Sequence, residues 1–178
     1  MLDEKESRSL IFQGKKELGI KSKKFAGALT VEILKRALNE QEIPVSPRDV
    51  FIKGVSAEID LIIPRKLNPI YELLYDSEDV LAVLEVKEIG SFGEETINQT
   101  RKNFNSIRQV SDDIYCAYVT VTERKGFKWA VTMENLGFPA YTLFWHKSDD
   151  IENGEPSGDF ERLVNDLREV TKKHATLI

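Results

Sequence analysis

Between positions 24 and 39 apolar residues recur at helical spacing: Phe25, Ala28, Leu29, Val31, Ile33, Leu34, Ala37 and Leu38 form a broad stripe. Such a stripe predicts a helix that packs on a sheet. The pattern then changes to period two. Ser56 to Ile63 is a run of β-branched and apolar residues ended by Pro64, and it predicts a strand. A shorter segment, Asp49 to Lys53, turns through Gly54 into that run, which predicts a hairpin. Val80 to Leu84 is continuously apolar, as in a strand covered on both faces, and the run extends to Lys87. Glu94 to Gln109 returns to helical spacing through Ile97, Thr100, Phe104 and Ile107, with two acids in its first turn. Asp113 to Thr122 reads as a buried strand, and a strand after a helix after a strand implies a parallel crossover. Phe127 to Met133 and Ala140 to His146 are further strand candidates. Ile151 to Gly158 reads as a Gly/Pro loop. Asp159 then caps a last helix carrying Phe160, Leu163, Val164, Leu167 and Val170 on one face.

Charges interrupt two of these strands. Glu58 and Asp60 lie two apart in the first, which puts both on one face, and Glu85 and Lys87 do the same at the end of the second. A carboxylate or ammonium inside a buried strand is costly unless it is paired or bound to a metal. Were the two strands neighbours, about 4.8 Å apart, Asp60, Glu85 and Lys87 would converge. Two carboxylates at that separation repel unless a cation lies between them, and oxygen donors with vacant positions suit Mg²⁺ or Mn²⁺. An adjacent lysine supplies positive charge that can orient or deprotonate a water, or stabilise charge developing on phosphorus.

An acid ending one strand, a loop, and Glu85-Val86-Lys87 on the next resemble the PD-(D/E)xK, or restriction-endonuclease-like, nuclease superfamily, over roughly residues 25 to 122. Ile59 stands where the proline that gives the motif its name would be. The resemblance implies an α/β fold with an αβββαβ core, its mixed central sheet flanked by helices, here followed by extra C-terminal strands and a C-terminal helix. It implies that Asp60, Glu85 and the Val86 carbonyl hold Mg²⁺ or Mn²⁺, and that Lys87 positions or activates the attacking water. Glu32 matches an acid that the first core helix of many members sends to the metal; the plain alternative is an i,i+4 pair with Arg36. Glu58 is either a second acid of the site or a solvated strand residue. Gln99, twelve residues after Lys87, resembles a polar helix residue that contacts substrate, yet it points away from the apolar stripe. Asn103, Arg101 and Arg108 are rival contacts on the same helix.

Composition narrows the classes without deciding among them. The chain has 178 residues, 41% hydrophobic and 31% charged, which suits one soluble domain spanning 1–178 with a charged arm at 1–22. No apolar run is long enough to span a bilayer and the amino terminus is charged, so a cytoplasmic protein without a membrane partner is expected. Cys116, the single cysteine, reads as a small core residue. A net charge of −5 argues against a protein that coats nucleic acid. Local basic strips at 21–24, Arg65-Lys66, Arg101-Lys102 and Arg124-Lys125 can still track phosphates, or are solvated surface charges. Tyr71 and Tyr75, in a long excursion from Arg65 to Asp79, either stack on a base or form a satellite core. His146 is a candidate base or a strand-end residue, and His174 lies in the tail. Gly-rich phosphate loops, paired CxxC, HExxH and Ser/His/Asp contexts are absent. The expected activity is therefore metal-dependent hydrolysis of phosphodiester bonds in nucleic acid, DNA foremost, with a homodimer as a possible assembly. The alternatives are an inactive nuclease-like module that binds nucleic acid or protein, and a simple ion-pair network between two strands.

Overall fold

The computed structural model describes residues 23–66, 69–89, 94–124, 135–147 and 150–175. The charged arm expected at 1–22 and the strand expected at 127–133 lie outside them. Helix α1 runs Lys23–Glu40; strands β1, β2 and β3 cover Phe51–Ile52, Leu61–Pro64 and Leu74–Tyr75; a 3₁₀ turn at Ser77–Asp79 leads into β4, Val80–Ile89. Helix α2 is Glu94–Val110, β5 is Tyr115–Arg124, β6 is Ala140–Lys147, β7 is Asp150–Pro156, and α3 is Asp159–Ala175.

Five strands form one mixed sheet in the order β2-β4-β5-β6-β7. Strands β4, β5 and β6 are parallel, while β2 and β7 run antiparallel on the edges. The parallel trio explains the unbroken apolar runs at 80–84 and 114–119, because helices cover both of its faces. On one face α1 brings Val31, Leu34 and Leu38, and α3 brings Leu163, Val164 and Leu167, onto Leu84, Val86 and Val119. On the other, α2 packs Ile97, Phe104 and Ile107 against Val83, Cys116 and Tyr118. Each such side chain contributes about 1.5–3 kcal/mol when fully buried, so the two clusters together fix the sheet between its helices. Among the described residues no helix is long and apolar enough to cross a membrane.

Four local expectations are corrected. The hairpin into the Asp60 strand reduces to a single antiparallel bridge, Val50 to Ile59, and β1 pairs instead with β3 in a separate parallel ribbon. Most of Ser56 to Asp60 is irregular, and regular strand begins only at Leu61. The segment expected as a Gly/Pro loop is the edge strand β7, with Pro156 at its last position, where no ladder hydrogen bond is required of it. Asp159 does not cap its own helix. Its Oδ2 accepts the Thr142 N–H at 2.9 Å, while its own N–H donates to Ser157 Oγ at 2.9 Å, which ties the start of α3 to β6.

Candidate active site

Strand β2 is an edge strand whose outer side is closed by the loop before β1. Ser46 N–H donates to the Ile62 carbonyl, and Ile62 N–H returns to Ser46 Oγ, both at 3.0 Å. Asp49, held in the left-handed region at φ 58°, donates its N–H to the Asp60 carbonyl at 3.3 Å. The β2–β4 register pairs Leu61 with Leu84, and one residue further it sets Asp60 beside Glu85. Asp60 Oδ2 then accepts the Val86 N–H at 2.7 Å, which fixes that carboxylate against β4. Along β4, Val86 points into the α1/α3 core, so Glu85 and Lys87 rise from the opposite face. Lys87 Nζ donates to Glu85 Oε1 at 2.6 Å, the Val86 carbonyl at 3.3 Å and Asp60 Oδ2 at 3.4 Å. Three oxygens therefore gather on one point. The side chains are 23% (Asp60), 18% (Glu85) and 35% (Lys87) exposed, so the cluster is screened yet open to solvent.

Burial raises the Glu85 pKa above its usual 4.5 and the charge of Asp60 raises it further, against the lowering pull of Lys87. Burial alone would lower Lys87, but the two carboxylates outweigh it and hold the ammonium above 10.5. Two acids this close need a cation, which Lys87 supplies. Among the described residues no group of three or more His, Cys, Asp and Glu side chains is placed to hold a metal. The donor set that exists is two carboxylates and one main-chain carbonyl. It is all hard oxygen, incomplete by itself, and fits a small divalent ion that keeps waters and takes substrate oxygens.

No protein-family model matches the sequence, and no curated protein matches it significantly. Solved structures do. NucC from P. aeruginosa ATCC27853 in its cAAA-bound form is 13% identical with a TM-score of 0.64, over 98% of this chain and 94% of that one. NucC from E. coli MS115-1, also cAAA-bound, is 14% identical with a TM-score of 0.62, over 97% and 93%. The apo form of the E. coli protein gives 16% and 0.53, over 95% and 97%. The fold is restriction-endonuclease-like. At these identities the likeness is one of architecture, and the chemistry has to be read from this chain's own residues.

Within the restriction-endonuclease-like sheet, Asp60, Glu85, Val86 and Lys87 come together, and the remaining candidates stand apart. Glu58 is exposed and precedes the regular strand, so alternation does not set it beside Asp60. Glu32 is exposed on α1 and pairs with Lys35 at 3.8 Å and Arg48 at 3.9 Å, whereas Arg36 pairs with Glu40 rather than with Glu32. Gln99 points outward and donates to Asn103 Oδ1 at 2.8 Å, as the helical phase predicts, so neither reaches Lys87 by any described contact. Arg101 binds the Asn135 carbonyl and Asn98 Oδ1, which ties it to structure, while Lys102 is simply exposed. Arg65 and Lys66 follow the far end of β2, roughly 16 Å along the strand from Asp60. Arg108 lies over the Phe138 ring at 5.2 Å. Tyr75 is buried in the α2-side core and Tyr71 is exposed, so they form no stacking pair. The His146 side chain lies outside the described residues.

Sequence reading missed what braces the cluster. Ser46 carries no motif and sits between two prolines. Thr120, in register with Lys87 on β5, is fully buried and shares a 3.0 Å hydrogen bond with Thr142 on β6. The signal for that polar row is threonine set between Val119 and Val121 and again between Tyr141 and Leu143.

Proposed function

We propose that this chain is a divalent-metal-dependent nuclease that hydrolyses phosphodiester bonds of DNA at the Asp60–Glu85–Lys87 cluster. The observation that carries it is the meeting of Asp60 Oδ2, Glu85 Oε1 and the Val86 carbonyl within 2.6–3.4 Å of one cationic centre. The restriction-endonuclease-like fold supports the same class, because it is the architecture that the motif resemblance of Asp60 and Glu85-Val86-Lys87 implies. Asp60, Glu85 and the Val86 carbonyl hold Mg²⁺ or Mn²⁺. When bound, that ion polarises the phosphoryl oxygens and lowers the pKa of a water.

The chain's own residues do the rest. Val86 N–H orients the Asp60 carboxylate and, being main chain, costs no rotamer entropy to place. Glu85, which Lys87 meets at 2.6 Å in the same cluster, is placed to orient the attacking water. Lys87 brings a permanent positive charge to the phosphate as it gains negative charge. Cutting both strands needs two such sites, so a second copy of the chain is the partner this reading calls for.

The test is cleavage of closed circular, linear and single-stranded DNA with Mg²⁺, with Mn²⁺ and with chelator, the circular substrate separating endonuclease from exonuclease. Asp60→Ala and Lys87→Ala are each expected to lose at least about 100-fold in rate, and chelator to abolish cutting. Full activity in both variants would reject the assignment.

A further inference from the structure

We propose that Lys87 is the resident cation of the metal-free site, and that a divalent ion enters by exchange, expelling the ammonium from the three oxygens it now holds. The inference rests on the nuclease reading above and adds an order of events to it. Lys87 Nζ lies 2.6 Å from Glu85 Oε1, 3.3 Å from the Val86 carbonyl and 3.4 Å from Asp60 Oδ2. Those three oxygens are the donor set assigned to the metal. A divalent ion needs them at about 2.0–2.2 Å, so an ion and an ammonium nitrogen cannot both occupy the point where they meet. Repulsion between the two cations pushes in the same direction.

Lys87 has somewhere to go. Its side chain is 35% exposed, more than either carboxylate, and four methylenes separate Nζ from the backbone that β4 holds in place. Asp60 and the Val86 carbonyl stay where they are, because Asp60 Oδ2 is anchored by the Val86 N–H at 2.7 Å, Val86 lies within β4 and Asp60 directly precedes β2. The oxygens thus remain organised while the lysine moves. Before exchange the ammonium is held by protein oxygens; after it, the same charge turns toward solvent, where it can meet a phosphate. Metal entry then becomes the event that arms Lys87, and substrate held before the ion arrives lacks its lysine contact. The cost falls on metal affinity, because every ion must displace an internal competitor.

Titrating Mn²⁺ into the full chain by calorimetry, without DNA, compares wild type, Lys87→Met and Asp60→Ala. A structure of Mn²⁺-soaked wild-type crystals locates Nζ directly. The expected result is at least about tenfold tighter Mn²⁺ binding by Lys87→Met than by wild type, since the competitor is gone. In the soaked wild-type crystal, Nζ is expected to have left at least two of its three oxygens. Mn²⁺ bound at Asp60 and Glu85 with Nζ still touching all three oxygens would overturn the exchange and leave the nuclease reading intact, as would equal affinity in wild type and a folded Lys87→Met. Should wild type take up no Mn²⁺, or Asp60→Ala bind it as well as wild type, the site reading itself fails and the exchange with it. If Lys87→Met does not fold, the soaked wild-type structure decides alone.

Discussion

Asp60 carries two separable duties, an electrical one and a mechanical one. Its Oδ2 accepts the Val86 N–H at 2.7 Å, and its charge faces Lys87 and Glu85. Asp60→Ala removes both and leaves a half-buried N–H without its acceptor, a loss of about 1–3 kcal/mol. Asp60→Asn keeps an oxygen for Val86 and also relieves the repulsion on Glu85. Thermal melts are therefore expected to separate the two, Asn staying within about 1 kcal/mol of wild type and Ala falling below it, while both lose Mn²⁺ binding and cleavage. Equal destabilisation by both would show that the Val86 bond contributes nothing. The same residue was readable in the sequence because a charge inside a buried strand is anomalous whatever surrounds it. For Glu58 the same rule left two readings, and its exposure fits the solvated one; alternation holds only within a regular strand and β2 begins at Leu61. Glu32 matched a family position by place along a helix, but its reach was taken by Lys35, an i,i+3 neighbour, and by Arg48, a partner beyond the helix that no spacing rule could identify.

At the scale of elements, long periodic segments were legible and short edge pieces were not. The stripe of α2, with Ile97, Thr100, Phe104 and Ile107 buried, is the one that spacing predicts, because one helix face meets one sheet face. Strands β1 and β3 are two residues each, and their parallel pairing joins segments more than twenty residues apart, which leaves no local signature. Strand β7 was hidden by its glycine and proline, residues an edge tolerates and a central strand does not. The edge that matters for chemistry is β2, and Ser46 closes it: fully buried, it takes the Ile62 N–H on its hydroxyl at 3.0 Å. Ser46→Ala leaves that N–H orphaned beside the strand that delivers Asp60. The expected cost is about 1–3 kcal/mol, with the Ile62 amide exchanging with solvent faster than the amides of β4 and β5. Hydrogen exchange followed residue by residue checks it, and unchanged protection at Ile62 would remove Ser46 from the account of the site.

The molecule as a whole keeps several acids neutral inside it, and this sets its behaviour in base. Burial pushes the Cys116 thiol from 9.0 to about 12, with only partial relief from Arg108. Burial also raises the Tyr75, Tyr115 and Tyr141 hydroxyls above 10.0; Tyr115 and Tyr141 share a 2.5 Å hydrogen bond, and Tyr141 donates to Asp166 on α3. An acid whose pKa is higher folded than unfolded binds its proton more tightly when folded, so its contribution is complete below the unfolded pKa and is lost as pH rises toward the folded one. Lys87, raised above 10.5 by its carboxylates, changes in the same sense. All five groups thus place the loss on the alkaline side, beginning near pH 9 with Cys116. Holding the thiol neutral up to about 12 is worth roughly 4 kcal/mol, all of it lost by pH 12. General repulsion grows over the same range, because a chain at −5 becomes more negative as lysines deprotonate. Cys116→Ala tells the two apart. It gives up a small amount of packing at every pH, but its urea midpoint should decline less steeply than wild type between pH 9 and 11, since the variant has no thiol to hold neutral. Parallel declines in the two proteins would assign alkaline unfolding to net charge and the tyrosines instead.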